Sequence, residues 1–211
     1  MDSRIHHGDG VEFMKNQDDN TCKSVMTDIP YGVVNREDNG LRSLDKDDAD
    51  EMTFDIDTAI REMKRISTDS IYIFCAQQQS SYVMRQLEEL STRLLIWKKT
   101  NPSPMNCQYL YLNDIECCVY AKHPSGEFNN HYQSCVIENK AGSSKNHPTE
   151  KPVDLFETLV SDATSEGDTI VDPFCGSGSS IVAADKHDRV GVGVDCNKEY
   201  VEYARSRLNN E

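Results

Sequence analysis

The sequence predicts an α/β fold built on a doubly wound, mostly parallel sheet with helices on both faces. Two observations support this prediction. Short apolar runs typical of strands alternate along the chain with segments whose apolar residues recur at helical spacing. Near the end of the chain, a β-branched run leads through a glycine-rich turn into a helical pattern, as at the ligand-binding edge of a doubly wound sheet.

Each predicted element follows from its local pattern. Apolar and β-branched runs predict strands over 24–26, 71–75, 94–97, 115–120, 169–171 and 190–194. Pro152 precedes a further helical pattern over 153–164. Three other stripes at helical spacing predict helices that pack on the sheet: Ile56, Ile60, Met63 and Ile66; Val83, Leu87 and Leu90; Val201, Ala204 and Leu208.

Length and composition are consistent with a single domain over 1–211, since 211 residues with 37% hydrophobic content can bury one sizeable core. No apolar run is long enough to span a bilayer, and the first residues lack the apolar core of a signal peptide. We therefore expect a cytoplasmic protein without a membrane partner.

The eight cysteines include no Cys-x-x-Cys pair, so they are expected to be reduced, small apolar residues. A metal site formed by Cys117, Cys118, His123, His131 and Cys135 is the alternative. Adjacent residues of a strand point to opposite faces, so Cys117 and Cys118 could not both face one ion. No metal is predicted.

The glycine-rich turn, residues 171–179, combines Asp172 at the end of a strand with Gly176 and Gly178, which can adopt positive φ and allow a ligand close to the backbone. The next predicted strand ends at Asp195, where an acidic side chain commonly accepts hydrogen bonds from ribose hydroxyls. The pair predicts a nucleoside-binding site. The alternative is a tight turn in a purely structural strand–helix–strand unit.

A second motif, residues 27–32, offers a carboxylate, a proline-kinked backbone and an aromatic ring in Asp28, Ile29, Pro30 and Tyr31. This set suits a planar base that carries an exocyclic amine. Asp28 can accept one amine hydrogen and a backbone carbonyl the other, which concentrates electron density on the nitrogen. Tyr31 can stack on a base rotated out of a helix. The alternative is a turn that merely leaves the strand.

With the segment 147–152, His-Pro-Thr-Glu-Lys-Pro, these motifs resemble the permuted, class β branch of the S-adenosylmethionine-dependent DNA amino-methyltransferases. That branch places the catalytic motif before the cofactor loop, and the resemblance covers almost the whole chain. It implies a Rossmann-like methyltransferase sheet, mostly parallel with an antiparallel edge. It also implies that the Ile29 carbonyl is the second amine acceptor, although the family usually has proline at that position.

The resemblance implies S-adenosylmethionine as the cofactor. Its site would comprise Asp172, Phe174, Gly176, Gly178 and Asp195, bordered by Asp9, His147, Thr149 and Lys151.

Asp28 replaces the serine that is more frequent in cytosine-N4 enzymes, and so favours adenine as the target. The alternatives are a cytosine-N4 DNA methyltransferase, an RNA adenine methyltransferase, and an inactive cofactor-binding partner subunit. Expected partners are DNA, double- or single-stranded, or RNA, and a second copy of the chain in a homodimer.

The net charge of −14 repels a polyanion, so nucleic-acid binding requires a local positive face. Much of the acid lies in 34–57, which is expected to be a mobile, solvated loop or a lid that orders on nucleic acid. The interval from Lys122 to His147 is too short for a separate recognition module, so specificity should be short, relaxed or supplied by another subunit. Candidates for the positive face are Arg93, Lys98, Lys99, Lys140, Lys145 and Lys151.

Overall fold

A computed structural model describes residues 2–30, 55–104, 107–131, 133–142 and 150–210. The strands in these ranges are β1 (Arg4–His7), β2 (Cys22–Asp28), β3 (Ser67–Cys75), β4 (Ser91–Lys99), β5 (Ile115–Lys122), β6 (Val136–Asn139), β7 (Thr169–Asp172) and β8 (Val190–Asp195). The helices are α1 (Gly10–Lys15), α2 (Ile56–Ile66), α3 (Gln77–Gln86), α4 (Val153–Ala163), α5 (Ser179–Lys186) and α6 (Lys198–Leu208).

The eight strands form one sheet in the order β1-β8-β7-β2-β3-β5-β4-β6. Neighbouring strands are parallel except that β5 runs antiparallel to β3 and to β4. The mostly parallel α/β fold is thus confirmed. The reversed strand lies inside the sheet and not at its edge, because β4 and β6 extend the sheet beyond it.

Helices cover both faces of the sheet. Successive side chains of the central strands point alternately to these two helical layers. Val25 and Ile71 pack with buried residues of α1, α2 and α3, whereas Met26 and Tyr72 pack with α4 and α5. A third cluster joins α6 and α5 to β1 through Ile5. Burial on both faces explains why the central strands are continuous apolar runs.

The six predicted strands are confirmed in position, and so are the helices predicted from Ile56 to Ile66, over 153–164 and from Val201 to Leu208, with α4 ending at Ala163. The helix predicted from Val83, Leu87 and Leu90 is only partly correct, because α3 ends at Gln86 and Leu90 lies beyond its C-cap. The predicted loop over 34–57 is wrong at its end, because Asp55 caps α2 by accepting the Asp57 N–H at 3.0 Å. The rest of that segment lies outside the described residues. No helix of the described chain is both long and apolar enough to cross a bilayer.

Candidate active site

Carboxylates cluster at one edge of the sheet. Asp28, Asp172 and Asp195 are the last residues of β2, β7 and β8, and Asp9 follows β1 by two residues. These four strands are parallel neighbours, so their carboxyl ends meet at the edge where doubly wound folds bind ligands.

Asp172 is buried beneath this edge and connects its parts by hydrogen bonds. Its carboxylate accepts hydrogen bonds from the Thr27 hydroxyl at 2.7 Å, the Phe174 N–H at 3.1 Å and the Ser180 hydroxyl. The side chain is buried, and burial raises the pKa of Asp172 to about 7 although the hydrogen bonds from Ser180 and Thr27 oppose the rise. Asp172 therefore ties the end of β2 to the turn and to α5. Direct contact with a ligand stays a prediction.

The turn after β7 has the positive φ angles that its glycines predict. Gly176 has φ +48° and Gly178, which caps α5, has φ +77°. A Cβ on Gly178 would also lie 2.8 Å from the Cβ of Ala204 in α6. Both the positive φ and this close contact therefore disfavour any residue other than glycine at the position. Phe174 is half-buried and packs against the core on the α1–α3 face.

Asp195 organises the same turn from β8. Its two carboxylate oxygens accept the N–H groups of Gly176 and Asn197, each at 2.8 Å, and its carbonyl accepts the Gly8 N–H at 2.9 Å. Asp9 is exposed and caps α1 by accepting the Glu12 N–H at 2.8 Å. The two carboxylates thus lie at the ends of neighbouring strands, beside the glycine turn.

Close packing joins α1 to this turn. A Cβ on Gly10 would overlap the carbonyl oxygen of Pro173, so only glycine lets α1 begin against the turn. Gly8, two residues earlier, differs: a Cβ there would meet nothing within 4 Å. The edge is therefore tight at Gly10 and open at Gly8.

Asp28 is partly accessible, with a side chain 30% exposed. The ammonium of Lys151 donates to its Oδ2. Ile29 is buried and donates its N–H to the Phe74 carbonyl at 3.1 Å, and Pro30 is half-buried. Tyr31, His147 and Thr149, which the sequence also selects, lie outside the described residues.

Lys151 lies deeper than the sequence suggests. Its side chain is 5% exposed, and its Nζ lies 3.3 Å from Oε2 of Glu116, whose Oε1 is 2.6 Å from Nζ of Lys99. Burial alone would lower the pKa of Lys151, but the carboxylates of Asp28 and Glu116 outweigh it and hold that pKa above its ordinary value. Sequence reasoning missed Glu116, although a single acid inside the apolar run 115–120 was a usable signal, and it assigned Lys99 to a nucleic-acid-binding face and not to this site.

The residue before Lys151 contacts the glycine turn. Glu150 accepts the Tyr203 hydroxyl at 3.3 Å and pairs at 3.5 Å with Arg207, which donates to the Ser177 carbonyl at 3.0 Å. Consecutive side chains thus reach the two parts of the edge: Glu150 reaches the turn through Arg207, and Lys151 reaches Asp28.

The predicted positive face is largely neutralised. Lys98 pairs with Glu138 at 2.8 Å, Lys99 pairs with Glu116, and Lys151 is buried, while Arg93 and Lys140 are exposed. Lys145 lies outside the described residues. Among the residues that the structure describes, no group of histidines, cysteines and acids could hold a metal ion.

A surface cleft borders Thr169 and Val190, the first residues of β7 and β8, and is also lined by Asp185 and Arg189. It therefore lies at the amino ends of the strands, at the opposite edge of the sheet from Asp28, Asp172 and Asp195.

Fold and site together define a doubly wound α/β protein in which a glycine turn and a half-open carboxylate share one sheet edge, an architecture typical of nucleoside-dependent enzymes. The chain belongs to the DNA methylase family of N6 and N4 methyltransferases, which it matches over residues 22–206.

Individual relatives agree with this family. The chain is 27% identical to the type II methyltransferase M.HpaI of Haemophilus parainfluenzae, over all of this chain and 76% of that protein. It is also 27% identical to the type II methyltransferase M2.DpnII of Streptococcus pneumoniae, over 97% of this chain and 89% of that protein. The crystal structure of an M1.HpyAVI–SAM complex matches with a TM-score of 0.76 and 25% identity, covering 98% of this chain and 99% of the other.

Proposed function

We propose that the protein transfers a methyl group from S-adenosylmethionine to the exocyclic amine of adenine in DNA. The observation that carries the proposal is the hydrogen bond between Thr27 and Asp172. It fixes the end of β2, where the half-open carboxylate of Asp28 lies, against the glycine turn that follows β7. A base-gripping group and a cofactor turn are thereby held side by side.

The residues of the edge suit S-adenosylmethionine. The carboxylates of Asp195 and Asp9 can accept ribose hydroxyls or adenine N–H groups, and the open space at Gly8 lies between them. The related M1.HpyAVI crystallises as a complex with SAM, which supports the same cofactor here. When bound, the cofactor supplies an electrophilic methyl group.

The chain's own contribution is to make the amine nucleophilic. The lone pair of an exocyclic amine is delocalised into the base, so nitrogen must be polarised before it attacks. Asp28 accepts one amine hydrogen and the Ile29 carbonyl accepts the other, which favours the sp³ nitrogen of the transition state. Tyr31 stacks on the target base after the base has rotated out of the DNA duplex.

Adenine is proposed because residue 28 is aspartate. The second candidate is cytosine N4; the cytosine-N4-specific PvuII methyltransferase shares the fold with a TM-score of 0.75 at 14% identity. RNA is a further candidate substrate. An inactive partner subunit is disfavoured, because such a subunit has no need of the buried Lys151 ammonium that meets Asp28.

Incubation of the purified chain with labelled S-adenosylmethionine and unmethylated DNA, followed by digestion to nucleosides, tests the proposal. We expect label in N6-methyldeoxyadenosine. Asp28→Ala should lower the rate by about two orders of magnitude or more, on the scale of a lost transition-state contact, while cofactor binding persists. Asp154→Ala, an exposed carboxylate on α4, is the control.

Each other outcome has a defined meaning. Full activity of Asp28→Ala would remove Asp28 from the mechanism, and label in N4-methyldeoxycytidine would replace adenine by cytosine as the target base. Label in RNA alone would change the substrate. No transfer to any nucleic acid, despite cofactor binding, would favour the partner subunit.

A further inference from the structure

We propose that Lys151, Glu116 and Lys99 form a chain of alternating charges that positions Asp28, with Lys151 buried and the other two partly shielded. Glu116 and Lys99 thereby affect methyl transfer without contacting the reacting groups. This inference rests on the proposed function of Asp28. It assigns Lys151 to the catalytic carboxylate, whereas its place in the sequence suggests the cofactor border.

The chain of charges crosses the sheet. Asp28 ends β2, Glu116 lies in β5 and Lys99 ends β4, while Lys151 enters from the segment before α4. The signs alternate from Asp28 through Lys151 and Glu116 to Lys99, and the last two contacts measure 3.3 Å and 2.6 Å. The four charges sum to zero and form a continuous row from Asp28 at the end of β2 to Lys99 at the end of β4.

Burial makes these contacts consequential. A buried ammonium is stable only with carboxylate partners, and Lys151 has two, with the Phe74 ring 5.0 Å from its Nζ. Glu116 is also largely shielded; burial would raise its pKa, but Lys151 and Lys99 outweigh that effect and lower it. Both central groups are therefore held in their charged forms.

The positioning effect follows from competition for one ammonium. Lys151 divides its hydrogen bonds between Asp28 and Glu116, and the share that Glu116 takes depends on Lys99. Without Lys99, Glu116 is left with one cationic partner and attracts the ammonium more strongly, away from Asp28. An ammonium fixed beside a carboxylate orients it and favours its ionised form, which a hydrogen-bond acceptor for the amine requires.

The adjacent lysine offers a matched control. Lys98 and Lys99 are neighbours in β4, and each pairs with a glutamate of an adjacent strand at 2.8 Å and 2.6 Å respectively. Lys98 and Glu138 are exposed, however, and do not contact Lys151 or Asp28. Lys98→Met and Lys99→Met therefore make the same chemical change, and only the second falls within the chain of charges.

The experiment measures single-turnover methyl transfer to unmethylated DNA, S-adenosylmethionine affinity and the melting temperature for the wild type and four variants. We expect Lys99→Met to slow transfer about tenfold and Lys151→Met about a hundredfold, within the range for lost electrostatic support. Cofactor affinity and melting temperature of Lys99→Met should equal those of Lys98→Met. Lys99→Arg, which keeps the charge, should restore the rate.

Two results would overturn the inference. One is a Lys99→Met rate equal to that of Lys98→Met. The other is parallel loss of rate, cofactor affinity and melting temperature in Lys99→Met, which would mean that the ion pair only stabilises the sheet.

Nitrogen-15 NMR of the lysine ammonium groups provides a readout that needs no activity. The Lys151 signal should be protected from exchange, and it should shift in Lys99→Met but not in Lys98→Met. An unshifted Lys151 signal would refute the coupling even if the wild type proved inactive. Failure of the proposed function would instead appear as an inactive wild type whose Lys151 signal still shifts in Lys99→Met.

Discussion

Replacement of Asp172 by asparagine should change how stability depends on pH. Burial raises the pKa of Asp172 to about 7, from an ordinary value of 3.8. The folded chain therefore holds a proton on this group over a pH range in which the unfolded chain has released it. The contribution of this bound proton to the free energy of unfolding is fully present below about pH 4 and is lost as the pH rises towards 7.

The size of the effect follows from the difference in pKa. About three units at 1.36 kcal/mol each correspond to roughly 4 kcal/mol of unfolding free energy. Asparagine fits the same site, because its carbonyl can accept from Thr27 and Phe174 while its amide donates to the Ser180 hydroxyl. The variant keeps these bonds without the buried charge.

The assay is urea unfolding of both proteins at intervals from pH 4 to pH 8. We expect the unfolding free energy of Asp172→Asn to rise relative to wild type by up to about 4 kcal/mol between these limits. Asp185→Asn, an exposed carboxyl on α5, is the control for the change in net charge. If the wild-type and Asp172→Asn curves ran parallel, the buried carboxyl would not titrate as argued.

Three further predictions address the cofactor, the glycine turn and the substrate. Asp195→Ala should weaken S-adenosylmethionine binding by about 1 to 3 kcal/mol in calorimetry, because ribose hydroxyls lose an acceptor; unchanged affinity would remove Asp195 from the site. Gly10→Ala should lower the unfolding free energy by about 1 to 3 kcal/mol, since its Cβ would overlap the Pro173 carbonyl. Gly8→Ala, where the space is open, should be close to neutral in the same measurement. Methylation mapped along unmodified DNA should show little sequence preference and fall with added salt; modification by the chain alone, confined to one motif of four or more fixed bases, would contradict this.

The central strands were predictable because strands that are buried on both faces consist of continuous apolar runs. Residues 71–75 are all buried and form an unbroken apolar run. In contrast, β1 has one buried residue, Ile5, and β6 has none, so neither short strand leaves a pattern of its own. The reversed β5 could be recognised as a strand, but its direction depends on pairing with β3 and β4.

The sequence was sufficient to predict which strand ends lie together at the site. Asp28, Asp172 and Asp195 each follow an apolar run, and parallel strands bring such ends to one edge. Which groups these carboxylates bond was not predictable, because the partners are distant in sequence. Thr27 meets Asp172 across 145 residues, and Lys151 meets Asp28 across 123.

The strand order also governs when this edge can come into existence during folding. Ile5 of β1 pairs with Gly193 of β8, and Val25 of β2 pairs with Val171 of β7, so strands from opposite ends of the chain are neighbours. Non-local pairing of this kind slows folding, because long loops must close before any contact compensates for the lost entropy. A nascent chain that has not yet supplied β7 and β8 leaves one edge of β2 unpaired, which is a hazard for aggregation. Asp28 and the glycine turn can therefore be juxtaposed only after β7 has been synthesised and paired with β2.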